Sequence, residues 1–529
     1  MRHLSWAVVS GIALITGIPL AVIAASVFHP DPVIWRHLLD FVLPELLANT
    51  VWLVLGVGVG VLLLGVSTAW LTAACEFPGR RVFEWALLLP LALPAYISAF
   101  VWLGLFDVTS SVALWLREFG VVLPSIRSRG GIILLLSLSL YPYVFITARA
   151  AFMGQGARLL EAAQSLGLSR NQTFWRVALP MARPGIVAGL ALALMETLAE
   201  FGAVSVFNYN TFTTAIYKAW FGLFSLTTAS QLALMLVFFV LVALLIEGQM
   251  RARRHYAATT CAGERPFRLR LQGSTAIAAS VVCAAVLFFA FLLPIAQIAW
   301  WAWGVGSTDL DSRYWGFAVH SLWLGGLGTV GVVTLALALG YTQRLLPGAR
   351  MRAMARISTL GYAMPGAVLA VGLFIPLAWL DNQMIAAGLI QAPILQGSLI
   401  VMLLAYAARF MAVAFNPIEA GLTRISPRID EAAQLHGVAG MNRLWRVHLP
   451  MLRISVLTAA ALAFVDILKE LPITLMTRPF GWDTLAVRVF EMTSEGEWER
   501  AALPALAIVV VGLLPVWLLT KGQDHALAC

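Results

Sequence analysis

The chain has 529 residues, of which 60% are hydrophobic and only 12% are charged. Soluble domains average about 25% charged residues, so this composition excludes a soluble globular protein. The formal net charge of +9 would suggest a nucleic-acid partner in a soluble protein; in a membrane chain it reflects basic cytoplasmic loops, and no nucleic-acid partner is expected. The composition predicts an all-α polytopic membrane protein embedded in the lipid bilayer.

Twelve apolar runs are long enough to cross a membrane, which takes about 20 residues. They cover residues 4–28, 47–74, 82–106, 131–151, 184–207, 228–246, 275–303, 321–341, 357–380, 394–415, 454–476 and 503–519. The first run is too long for the apolar part of a cleaved signal peptide, which is kept as an alternative. The chain divides into a first repeat (1–250), a basic cytoplasmic linker (251–271) and a second repeat (272–529), each repeat with six spans.

Charge predicts the orientation of these spans. Basic residues concentrate in the loops around 76–81, 149–183, 251–270, 344–356 and 409–453, whereas the alternate loops carry acids. The positive-inside rule therefore puts the basic loops and both termini in the cytoplasm. None of the four cysteines falls in an outer loop, so no disulfide is expected.

Two polar stretches interrupt the apolar pattern, and they are copies of each other. Residues 161–180 read EAAQSLGLSRNQTFWRVALP, and residues 431–450, which lie 270 positions later, read EAAQLHGVAGMNRLWRVHLP. Each predicts a short helix, a glycine turn, and a second short helix that ends at Leu-Pro. A repeat at half the chain length indicates two homologous halves.

The two copies resemble the coupling-loop motif of ABC importer permeases. The motif residues are Glu161, Ala162, Ala163, Gly167, Leu179 and Pro180 in one half and Glu431, Ala432, Ala433, Gly437, Leu449 and Pro450 in the other. Val177 and Val447 stand where that family usually has Ile. The resemblance implies loops at 152–183 and 417–453 that dock on a separate cytoplasmic ABC ATPase dimer. The alternative is that each loop is an ordinary amphipathic connecting helix. The chain also lacks a phosphate-binding GxxxxGK[ST] loop, which fits a transport subunit and not an enzyme.

Acidic residues recur at one place in both halves, on the span that follows each coupling loop. Glu196 aligns with Asp466 and Glu200 with Glu470. Within each helix the two acids are four residues apart and lie on one face, and Lys469 adds a cation in the second half. Gly202 and Pro472 follow directly and predict local helix breaks. Intramembrane acids need water or a partner, so these residues form either a carboxylate-lined pathway or a structural ion pair between helices involving Lys469.

A second aligned pair of segments lies just outside the membrane. Residues 213–218 match residues 483–488, and aromatic residues follow each segment. These segments are either a gate or docking surface at the outer mouth, or plain outer loops.

Four stretches resemble bacterial ferric-iron permeases more narrowly: METLAEFGAVSVF from Met195, TFTTAIYKAW from Thr211, KELPITLMTRPF from Lys469 and DTLAVRVFEMTSEGEWERAALPAL from Asp483. The resemblance implies import of iron(III) across the bacterial inner membrane, delivered by a periplasmic binding protein, with no resident cofactor. Iron(III) is a hard cation that suits carboxylates, so transient contact with Glu200 and Glu470 is expected.

Other substrates carried by relatives of this architecture are thiamine, polyamines, sulfate and aminophosphonates. A different class, the ion-coupled secondary transporter, also shows repeats and membrane acids, but it would not explain two coupling loops.

Overall fold

The computed structural model describes residues 2–28, 32–120, 124–155, 157–252 and 268–527, and these form an almost entirely helical molecule. The helices of the first half are α1 Arg2–Ala25, α2 Pro32–His37, α3 Leu43–Ala74, α4 Arg80–Ala86, α5 Ala95–Leu105, α6 Ser111–Glu118, α7 Arg129–Met153, α8 Ala157–Ser165, α9 Arg170–Thr173, α10 Leu179–Ala199, α11 Gly202–Val206, α12 Phe212–Phe221 and α13 Leu226–Ala252.

The second half repeats this series. Its helices are α14 Ser274–Leu287, α15 Leu293–Asp309, α16 Ser312–Leu345, α17 Ala349–Thr359, α18 Gly366–Ala386, α19 Leu399–Arg424, α20 Pro427–Leu435, α21 Gly440–Arg443, α22 Leu449–Leu468, α23 Pro472–Thr477, α24 Leu485–Ser494 and α25 Trp498–Leu527. Two short strands, β1 Cys75–Glu76 and β2 Leu269–Arg270, pair in parallel at the junction between the halves. Residues 253–267 of the predicted linker lie outside the described residues.

Ten helices in the described part of the chain are long and apolar enough to span a membrane, or eleven with one bent pair. The twelfth predicted span falls within α25, whose side chains beyond Leu513 are not described. The all-α polytopic fold predicted from composition is confirmed.

Two predicted spans are not the continuous helices that the apolar runs indicated. In the run 82–106 the chain bends by 90° between Arg80–Ala92 and Ala95–Phe106. In the run 357–380 a 3-10 turn, Leu360–Ala363, separates α17 from α18. Pro94 and Pro365 stand at the two breaks with nearly equal extended backbones, ψ 141° and 142°. Proline lacks the amide hydrogen that a continuing helix needs and disfavours helix in the residue before it.

The halves are interleaved and do not sit side by side. Helix α1 packs against α16, α17, α18 and α19 of the second half, and α14 and α15 pack against α3, α4 and α5 of the first. The hydroxyl of Thr16 donates to the Ser358 carbonyl at 3.2 Å, and that of Ser280 donates to the Pro78 carbonyl at 2.9 Å. The first span of each half therefore packs against the other half.

Candidate translocation site and coupling loops

Both acid-bearing helices break at the acid itself. Helix α10 ends at Ala199 and α11 begins at Gly202, while α22 ends at Leu468 and α23 begins at Pro472. Glu200 Oε1 accepts the Ala203 amide at 2.8 Å, and Glu470 Oε1 accepts the Ile473 amide at 3.3 Å. A carboxylate that caps the next helix satisfies amides that have no partner within that helix. The predicted breaks at Gly202 and Pro472 are confirmed.

One cavity of about 170 Å³ collects all five predicted pathway residues from the two halves. Glu196, Glu200, Asp466, Lys469 and Glu470 line it, and so do further polar side chains that the sequence had not singled out: Tyr96, Ser139, Tyr143, Tyr362 and Arg409. Four carboxylates and two cations therefore share one small space, with acids in excess.

The cations are both in the second half. Lys469 Nζ lies 2.7 Å from Asp466 Oδ1 on the same helix, so the Lys469 ion pair is local and not the interhelical pair considered from the sequence. Arg409, on α19, reaches Glu470 instead: its Nε is 3.8 Å from Glu470 Oε2, and its Nη1 donates to the Met364 carbonyl. Among the described residues, neither Glu196 nor Glu200 forms a salt bridge.

Arg409 corrects the assignment of basic residues to loops. The sequence pattern groups it with the basic cytoplasmic loop 409–453, but it is buried in α19 beside the cavity. A guanidinium within a span is costly unless it is paired, and such a residue marks function by default. The sequence alone could have placed Arg409 within a span, because it falls inside the apolar run 394–415.

Two short helices, α12 and α24, meet at Phe201, which lines the cavity. The buried ring of Phe201 lies 5.4 Å from that of Tyr217 on α12 and 5.7 Å from that of Phe490 on α24. The two segments are helices and not plain loops. The predicted match of residues 213–218 with 483–488 is wrong by three positions, because Thr211 and Thr484 are the residues that precede the two helices.

The turn that ends the first helix of each coupling loop has the same backbone in both halves. Gly167 and Gly437 follow α8 and α20 with φ of +89° and +74°. The next amides close the turn, from Leu168 to the Ala163 carbonyl at 3.2 Å and from Val438 to the Ala433 carbonyl at 2.8 Å. This is the left-handed helix ending that favours glycine. It explains why glycine occupies this place in both motifs.

The expected helix end at Leu-Pro does not occur. A π-helical turn, Phe174–Ala178 or Leu444–His448, leads directly into α10 or α22, with Pro180 or Pro450 in the first turn. The wider π turn accommodates the proline, which has no amide hydrogen to donate to the helix. Each coupling loop is thus joined by continuous helix to the acids of the cavity.

The tips of the loops expose large apolar side chains. Leu166 and Trp175 are 86% and 60% exposed, and Leu435 and Trp445 are 89% and 62% exposed. By contrast, Ala163 and Ala433 are buried, while Glu161 and Glu431 are exposed. Apolar groups exposed in this way on polar loops indicate a surface for another protein.

The molecule has two repeated halves, a buried polar cavity between them and a continuous helix from each coupling loop to that cavity. These features define a transport permease of the ABC importer class. The chain belongs to the family described as binding-protein-dependent transport system inner membrane components, whose model matches twice, at residues 61–252 and 332–521. It is accordingly a multi-pass protein of the inner membrane and a transport subunit. Members of this family work with a soluble binding protein and an ABC ATPase in general.

Similar proteins carry different cargoes. An Fe(3+)-transport system permease protein of Haemophilus influenzae is 28% identical over 488 residues, 90% of each chain. A sulfate transport system permease protein of Escherichia coli is 34% identical over 140 residues, 26% of this chain and 50% of that protein. A molybdenum transport system permease protein of Escherichia coli is 31% identical over 146 residues, 28% of this chain and 63% of that protein.

Proposed function

We propose that this chain translocates iron(III) that a periplasmic binding protein delivers, using ATP hydrolysis by a separate cytoplasmic ATPase dimer. The observation that carries the proposal is the cavity between the halves, where four carboxylates outnumber two cations. Full-length similarity to an iron(III) permease supports it, because both chains are covered to 90%.

The net negative charge of the residues that line the cavity favours a cation over the oxyanions named for the sulfate and molybdenum permeases. With every group ionised, the four acids and two bases leave an excess of two negative charges. Such a site repels sulfate, whereas a hard trivalent cation gains carboxylate oxygens. The excess lies entirely with Glu196 and Glu200 of the first half, since Asp466 and Glu470 are paired with Lys469 and Arg409.

The cavity suits passage better than storage. In the described part of the chain, no three His, Cys, Asp or Glu side chains stand close enough to hold one metal ion together. We infer that an ion meets Glu200 and Glu470 in turn as the helices move, with Glu196, Asp466 and Lys469 setting the charge around it. A site that bound iron(III) tightly would slow its release.

The coupling loops complete the proposal. The motif residues from Glu161 to Pro180 and from Glu431 to Pro450 would grip the ATPase, and the continuous helices above them would carry its motion to the cavity. Both termini would then lie in the cytoplasm, with repeats at 1–250 and 272–529 joined by the linker 251–271.

Reconstitution in proteoliposomes tests the proposal. The permease is purified with its ATPase and binding protein, and uptake of radioactive iron(III), sulfate and molybdate is measured with and without ATP. We expect uptake of iron(III) alone, dependent on ATP and on the binding protein. Uptake of sulfate in preference to iron(III) would contradict the substrate, and uptake driven by an ion gradient without ATP would contradict the class.

A further inference from the structure

The turns that follow the two outer helices α12 and α24 differ sharply in chemistry. Each turn contains one left-handed residue two positions before the next long helix: Phe224 (φ +51°) before α13, and Gly496 (φ +81°) before α25. Glycine adopts this conformation freely, whereas a bulky side chain is strained in it. The first half therefore places an aromatic residue where the backbone favours glycine.

Phe224 gains no packing in return for this strain. Its side chain is 88% exposed, and the neighbouring Leu223 is 56% exposed. The turn is held by its backbone, since the Leu223 amide donates to the Lys218 carbonyl at 3.0 Å and the Ser225 amide to the Ala219 carbonyl at 3.0 Å. A strained and exposed aromatic residue is unexplained by folding and indicates contact with something outside the chain.

Pseudo-symmetry places Phe224 in water and not in lipid. Parallel repeats of a membrane protein are related by an axis along the membrane normal, so equivalent turns lie at equal depth. The turn of the second half carries Glu495, Glu497 and, at the start of α25, Glu499; Glu495 and Glu499 are exposed, and Glu497 pairs with Arg500 at 2.9 Å. Carboxylates at this depth require an aqueous outer face, and Phe224 shares it.

We propose that these turns are two unlike docking pads for the soluble binding protein: an aromatic pad (Leu223, Phe224) and an acidic pad (Glu495, Glu499). The inference rests on the proposed function, which supplies the partner. That protein would present an apolar pocket to the aromatic pad and a basic patch to the acidic pad. Because neither surface fits the opposite pad, the binding protein docks in a single orientation over the pseudo-symmetric mouth.

The test measures binding of the purified binding protein encoded by the neighbouring gene to full-length permease in nanodiscs. Phe224→Gly relieves the strained turn, so thermal stability should stay equal or rise while affinity falls about tenfold, as for an aromatic interface anchor. Glu495→Gln with Glu499→Gln should weaken binding at low salt and reduce its salt dependence. Phe119→Ala is the matched control, because Phe119 is another exposed outer aromatic residue, 67% exposed, and it should leave affinity unchanged.

Two further measurements separate the outcomes. Cysteine cross-linkers placed by Phe224→Cys and Glu495→Cys should capture different surfaces of the binding protein, and capture of both surfaces by each would overturn a single orientation. Quenching by brominated lipid that is greater in Phe224→Trp than in the wild-type protein, which has 19 tryptophans, would put the side chain in the bilayer and also overturn the proposal. Unchanged affinity of Phe224→Gly would refute the aromatic pad alone, whereas a wild-type permease that binds no such protein would refute the proposed function itself.

Discussion

The bases of the two coupling loops can be compared position by position. In the first half Leu160, Thr173 and Ala178 are buried there, each at most 1% exposed. In the second half the residues 270 positions later are Asp430, Arg443 and His448. Arg344 of α16 joins them, with its Nε 2.8 Å from Asp430 Oδ2, and His448 Nε2 lies 2.6 Å from Asp430 Oδ1. The base of the first loop is held by apolar packing, and the base of the second loop is held by an ionic cluster.

The cavity repeats this difference. Ser139 and Ala199 in the first half stand 270 positions before Arg409 and Lys469, the two cavity cations of the second. At the helix breaks and at the turn glycines Gly167 and Gly437 the backbone is nevertheless alike. Glycine and helix-break positions thus fix the shape of each half, while its side-chain interactions are free to differ. The second half should be sensitive to loss of charge, and the first to loss of apolar volume.

The largest expected effect comes from breaking the Arg409–Glu470 pair. Glu470→Ala leaves a buried guanidinium that still donates to the Met364 carbonyl but has lost its paired carboxylate, so we expect a loss of about 3 kcal/mol of stability and a low yield of folded protein. Glu200→Ala removes a carboxylate that forms no salt bridge, so it should cost only the helix cap at Ala203, about 1 kcal/mol, and lower the yield far less. Uptake per folded molecule should fall strongly in both variants if both acids meet the ion.

Yield and uptake together separate the two roles. The double variant Glu470→Ala, Arg409→Gln should recover yield without recovering uptake, because the stranded charge is gone but the pathway carboxylate is still missing. Normal uptake per folded molecule in both single variants would remove these acids from the pathway and leave them with a structural role only.

Much of this arrangement could be predicted from the sequence, and the exceptions have physical causes. Gly167, Gly437 and Pro472 act through their own backbone, so their turns and break follow from local sequence. Gly202 is different, because an added Cβ would lie 2.6 Å from the Cβ of Tyr96. The helix end expected at Pro180 and Pro450 was wrong, because a preceding π turn absorbs the missing hydrogen bond. The partners of Glu470 and Asp430 come from other helices, Arg409 and Arg344, and no local pattern specifies such contacts. The interleaving of α1 and α14 is likewise a tertiary feature.

The next largest effect is a loss of stability at the bases of the two coupling loops. Leu160→Ala should cost about 2–3 kcal/mol by opening a cavity, and the loss should not depend on salt. Asp430→Asn should cost less, about 1–2 kcal/mol, because its cluster is partly exposed and screened. The rate of trypsin cleavage within α8 and α20, at low and at high salt, measures these local stabilities and their salt dependence. In wild-type protein, high salt should loosen α20 and spare α8; equal responses would contradict the contrast.

A smaller effect is expected where the halves are alike. A Cβ added at Gly167 or Gly437 meets no atom within 4 Å, so Gly167→Val and Gly437→Val should not clash, and each should cost about 1–2 kcal/mol of local strain from the left-handed backbone. ATPase association and coupled hydrolysis should fall to the same extent in both variants while membrane insertion stays normal.

The matched controls for the valine variants lie one turn earlier in the same helices. Gln164→Ala and Gln434→Ala keep the turn glycine and the backbone carbonyls that accept its amide, from Gly167 and from Gly437 at 2.9 Å each. They should therefore preserve coupling. Normal coupling in both valine variants would refute the assignment of these loops to the ATPase interface.

The smallest effect is a pH dependence confined to the second loop. Burial opposes ionisation of Asp430, but hydrogen bonds from His448 and Arg344 hold its pKa below its usual range. A carboxyl whose pKa is lower in the folded state stabilises the fold above its unfolded pKa, about 3.9, and loses that contribution as pH falls through the folded pKa. Burial also lowers the pKa of His448 in this cluster, which costs stability as pH falls below about 6.5. Hydrogen exchange of α20, corrected for intrinsic rates, should therefore accelerate below about pH 6.5 and again below about pH 4, relative to α8, which has Leu160 at the equivalent position. Asp430→Asn should abolish the step below about pH 4, and parallel loss of protection in α8 and α20 of the wild-type protein would show that the ionic cluster does not hold the second loop.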